Sequence, residues 1–215
     1  MARQMAESRY REDQWTRRYD GHIAPINHLV DVLCQDPERG WVPYVAPMYG
    51  GTGARLLSLL RDPGPKTQEG KGSGFLSMEN DDATAEAICN YFGQAGVSAD
   101  DVIPWNAYPW YINRKPSPDE LEAGIGPLKR LVDLLPMLRV VMLHGGDAKD
   151  VWKRFTRKHP NLVRDRQLYI IPTYHTSRQA FRHSDPAVRE TRRVHLRDSF
   201  SEAARILIAG LDANQ

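Results

Sequence analysis

The chain has 215 residues, 41% of them hydrophobic and 26% charged, which is enough to bury a core without disulfide or metal staples. No apolar run approaches the roughly 18 residues of a membrane span, and two cysteines, Cys34 and Cys89, cannot ligate an iron–sulfur cluster or a Cys-rich zinc site. The net charge of +2, from 29 Lys and Arg against 27 Asp and Glu, gives no polyanion signature of its own, and the charged N-terminus lacks the apolar stretch of a secretory signal. These features predict a reduced, cytoplasmic protein, free of membrane and of redox metal, whose chemistry rests on carboxylate, imidazole, amide and aromatic groups.

Helical spacing over residues 7–19 and 23–35 predicts an N-terminal helical cap spanning residues 1–40. Four apolar runs follow, at residues 54–60, 102–105, 138–143 and 168–171. They alternate with segments long enough for crossover helices at 82–92, 118–135 and 147–158. Continuous rather than alternating apolar runs are what strands buried on both faces require. The fold class is therefore α/β: a three-layer α/β/α sandwich around a four-stranded parallel sheet. It forms one domain, with the α/β core at 42–181 and a closing helix over 185–211. Right-handed crossovers put all four strand C-termini on one edge, where open α/β sheets bind ligands.

Each strand end carries polar or glycine-bearing chemistry: Arg61-Asp62-Pro63-Gly64, Asn106-Ala107-Tyr108, His144-Gly145-Gly146-Asp147, and Thr173-Tyr174-His175-Thr176-Ser177. Asp62, Asn106 and His175 on one rim combine an electrostatic stabiliser or general base, a side-by-side donor and acceptor, and a donor for developing negative charge. The Asn amide complements the N3–H and O4 of uracil. Gly145-Gly146 lacks phosphate-loop spacing and reads as close helix–strand packing, while Trp105, Tyr108 and Trp110 read as core. Residues 178–197 are locally basic.

The order and spacing of these motifs resemble the uracil-DNA glycosylase superfamily over residues 42–181. The resemblance implies that Asp62 activates or orients water at C1′ and that Asn106 reads the pyrimidine edge. Phe75 would then stack on the base, and His175 would stabilise the departing anion. It further implies base flipping, with Ser177, Arg178 and Gln179 as candidate wedge residues and Arg182 on phosphate. Backbone N–H groups at Gly70 in the 66–71 loop and at Gly72 just after it are candidates for a further phosphate contact. The implied partner is DNA containing a deaminated base, and the implied reaction is monofunctional hydrolysis by a monomer that needs no metal and no cofactor; Lys66 is the nearest amine to the core motifs.

Three departures stand out. Leu60-Arg61 replaces the usual glycine before the acidic motif, and His175-Thr176-Ser177 replaces His-Pro-Ser. Gly64 stands where uracil-restricted members carry a tyrosine, which points to a broader base range. The altered His loop leaves open a non-catalytic DNA-binding or damage-recognising module on the same scaffold. An enzyme of small nucleotides is also open, though it would not need the arginine-rich segment.

Overall fold

A computed structural model describes residues 3–212, with side chains described through Ala209. The first two residues of the expected 1–40 cap therefore lie outside the described residues. In that cap, α1 (Ser8–Thr16) is followed by α2 (Ala24–Cys34), whose Ile26, Leu29, Val30 and Leu33 are buried at helical spacing.

The main sheet contains β2 (Leu56–Leu60), β4 (Val102–Asn106), β5 (Val140–His144) and β6 (Tyr169–Thr173), in the order β4-β2-β5-β6 and all parallel. The four expected strands are present, with ends displaced by one or two residues from the apolar runs. Two further strands, β1 (Tyr44–Val45) and β3 (Phe75–Leu76), form a separate parallel pair. At two residues each they are too short for periodicity to reveal.

After β2 the chain steps outward to β4, then returns across to β5 and β6. Ligand crevices form where strand order reverses in this way, here at the C-terminal ends of β2 and its neighbours. By the right-handed rule, α3 (Ala83–Ala95), which precedes β4, covers one face, and α6 (Gly146–Lys158), which links β5 to β6, covers the other. The closing helix α8 (Pro186–Asp212) packs with α3 and against β5 and β6, burying Phe200 against Phe92. A short turn of helix, α7 (Leu162–Asp165), leads into β6.

Local chemistry sets the ends of these helices. Asp82 caps α3 by accepting from the Thr84 and Ala85 amides, and Gly96 in the left-handed region ends it. The expected single helix over 118–135 is instead α4 (Pro118–Ala123) and α5 (Ile125–Asp133). The break falls at Gly124, where a Cβ would stand 1.8 Å from the Ala107 carbonyl oxygen. Only a glycine permits α4–α5 to approach the loop that follows Asn106 so closely.

Candidate active site

Backbone hydrogen bonds tie the strand-end loops together. The Ala107 and Tyr108 amides donate to the carbonyls of Leu60 and Arg61 at 2.8 and 2.9 Å, holding the loop after β4 beside the loop after β2. Across the sheet, the Gly145 amide donates to the Thr173 carbonyl at 3.0 Å. Gly145 has φ near +90°, and a Cβ there would meet the His175 Cβ at 3.3 Å, so the glycine lets β5 and the His175 loop pack closely. Asp62, Asn106, His144 and His175 consequently line one cleft of about 690 Å³, together with Ser58, Ser177 and Gln179.

Asp62 sits two residues beyond β2 with its side chain only 7% exposed, and the Arg61 guanidinium donates to it. Burial pushes the Asp62 carboxyl up from its usual range; Arg61 opposes that shift and Asp147 adds to it. The arginine that replaces the usual glycine thus favours the carboxylate form.

His175 has its tautomer set by its own loop. The Ser177 backbone N–H donates to Nδ1 at 3.0 Å, so in the neutral ring Nε2 carries the proton and is the donor. Burial, with Arg61 second, lowers the His175 pKa and keeps the ring uncharged. A neutral donor in a largely buried site is suited to stabilising charge that appears during a reaction.

The register places Ser58, Asn106, His144 and Thr173 on the same face of the sheet, the one covered by α3 and α8. On this face Asn106 Nδ2, His144 Nδ1 and Thr173 Oγ1 are buried without a hydrogen-bond partner among the described residues. Each such group costs on the order of 1–3 kcal/mol if left unpaired, and of these three residues Asn106 and His144 line the cleft. Sequence patterning names His144 only as part of a strand end and passes over Ser58 inside its apolar run, giving neither a role, because strand pairing alone joins them. The one available signal was a polar residue interrupting each run.

The other expected site residues divide. Ser177 and Gln179 line the cleft; Arg178 and Arg182 are exposed on the turn that follows. Phe75 is fully buried and packs on Trp15 and Tyr44, with ring centroids 4.9 and 6.4 Å away, and is not among the residues that line the cleft. Alternation along β3 turns Leu76 toward the cleft instead, because Trp15 of α1 covers the Phe75 face. Gly72 is a correction, since its amide donates to the Gln68 carbonyl at 2.6 Å and is not available to a phosphate. Within the basic segment, Arg193 and Arg197 pair with Glu190, and Arg192 donates to the Ala180 carbonyl, so much of that charge has protein partners. Trp105, Tyr108 and Trp110 are buried, and Trp105 also contributes to the cleft wall.

Among the described residues, no group of three or more His, Cys, Asp or Glu side chains is placed to hold a metal ion, and no helix is long and apolar enough to cross a membrane. The family model described as the uracil DNA glycosylase superfamily matches residues 47–211. No curated protein matches the chain.

Proposed function

The chain belongs to the uracil DNA glycosylase superfamily, a family of glycosylase-type hydrolases that act on DNA, and from that premise we propose that it removes uracil or a related deaminated base flipped out of the helix. The observation that carries the reading is the meeting of Asp62, Asn106 and His175 in one cleft at the strand ends, with the Ser177 amide holding the His175 tautomer. Cleavage passes through an oxocarbenium-like sugar and a departing base anion. The Asp62 carboxylate stabilises the positive sugar and orients water. Neutral His175 donates from Nε2 to the anion, and Asn106 pairs with the edge of the base. The hydrolysis is monofunctional: Lys66, the cleft-lining lysine, lies 3.7 Å from Asp81 and is half exposed, a poor setting for an amine nucleophile.

On this reading Leu76, rather than Phe75, is the apolar surface against the base, and Ser177 and Gln179 approach the space vacated in the duplex. Extrusion costs a few kcal/mol and least for a mispaired base, so U·G should be preferred over U·A. The test is base release from oligonucleotides carrying U·G, U·A, T·G, hypoxanthine or xanthine. The wild type should release base, and Asp62→Ala should bind the same DNA without release. Asn106→Asp should lose uracil and gain cytosine. Binding without release by the wild type on every substrate would overturn the catalytic assignment and leave a damage-recognising module.

A further inference from the structure

We propose that His144, held by Ser58 on the floor of the cleft, is a base-contacting specificity residue that donates from Nδ1 to the carbonyl oxygen created when a base is deaminated. The inference rests on the glycosylase reading and names a contact for it.

Three observations converge. His144 ends β5 and Ser58 lies within β2, the adjacent pair at the reversal of strand order, and both line the cleft. Their side chains meet at 3.0 Å between Oγ and Nε2. The His144 Nδ1 atom is buried and has no partner among the described residues, as is true of Asn106 Nδ2 on the same face of the sheet.

The direction of the Ser58–His144 bond decides the chemistry. Ser58 Oγ has no other hydrogen-bond partner among the described residues. If it accepted from Nε2–H, its own hydroxyl hydrogen would be buried with no acceptor. Donating to Nε2 satisfies it, and that leaves the imidazole proton on Nδ1. Burial holds the His144 pKa down at about 3, so the ring is a neutral donor at ordinary pH.

Two buried donors without acceptors, His144 Nδ1–H and the Asn106 amide, call for oxygen. Deamination replaces an exocyclic amino group, a donor, with a carbonyl, an acceptor. The same two donors therefore welcome a deaminated base and reject its amino-bearing parent, which would set donor against donor. Asn106 also offers an acceptor and can be satisfied by either edge after reorientation. His144, fixed by Ser58, cannot turn, so it adds the discrimination that the amide alone lacks.

The test pairs single-turnover kinetics with a direct view of the ring. His144→Leu should lower kcat/KM on U·G DNA by about tenfold to a hundredfold. His144→Gln, which keeps a donor, should recover part of that loss, and Ser58→Ala should weaken the preference for uracil over cytosine. Affinity of His144→Leu for a duplex bearing an abasic-site analogue should be unchanged, because no base is present to contact. In the wild type, the His144 imidazole 15N resonances should move on addition of free uracil and not of free cytosine.

Unmoved resonances with uracil, or His144→Leu within twofold of wild type on U·G, would overturn the proposal. So would an equal loss of affinity for the abasic duplex, which would mark a structural role. The resonance experiment needs no turnover: a shift with uracil and no base release would sink the hydrolase assignment while leaving the contact standing.

Discussion

Replacing Arg61 with glutamine removes a guanidinium that touches Asp62 and lowers the pKa of His175. Asp62 is pushed up first by burial and drawn back by Arg61, so in Arg61→Gln burial acts with less opposition and the carboxyl pKa rises further. For His175 the main depressing cause is burial, with Arg61 second, so its pKa rises too. The proposed mechanism needs the carboxylate and the neutral imidazole, and both requirements now fail at a higher pH than before. Base release should therefore fall on the acid side of the profile, by roughly tenfold (about 1.4 kcal/mol) for each pH unit by which the acid limb moves, and not on the alkaline plateau. The assay is single-turnover release from a U·G duplex, followed across the acid and neutral range at constant ionic strength. An acid limb that stays in place, or a drop of equal size at every pH accompanied by a shallower salt dependence, would refute the electrostatic role and assign Arg61 to a DNA phosphate.

Other outcomes follow from the same contacts. His144 has a folded pKa of about 3 against an ordinary value of 6.5, so between those limits the unfolded chain binds a proton that the native state excludes. Stability should therefore fall as pH drops through that window, by up to about 1.4 kcal/mol per unit from this group, and denaturant titrations should show a flatter acid dependence for His144→Leu. Parallel curves for the two proteins would contradict the buried neutral ring. Gly124→Ala forces its Cβ onto the Ala107 carbonyl; the cost should be about 1–3 kcal/mol, read as a Tm lowered by roughly 2–4 °C for each. Because Ala107 follows Asn106, base release should fall more than DNA affinity in that variant, and an unchanged Tm would show that the α4–α5 break is not set by this contact. Trp15→Ala should leave Phe75 with an unfilled face and cost on the order of 3–5 kcal/mol, whereas Leu76→Ala should act mainly on base release. The reverse pattern would restore Phe75 as the residue facing the base.

The amino-acid order alone settles the four main strands, the sandwich around them, and the polar residues at their ends, because a strand buried on both faces must be apolar along its length and any polar residue that closes it is conspicuous. Asp62, Asn106 and His175 are legible for that reason, and right-handed crossovers suffice to bring them to one edge. Contacts between distant segments decide the rest. Which residue of the two-residue strand β3 meets the cleft depends on Trp15, some 60 positions away, occupying the other face. Ser58 and His144 become a pair only through the register of β2 against β5, and the proton on His175 is assigned by an amide in the bend that follows it. Periodicity along a chain reports which side of an element is buried; what lies against that side is a property of three dimensions, and hydrogen bonds that set tautomers form only after the packing has chosen their partners.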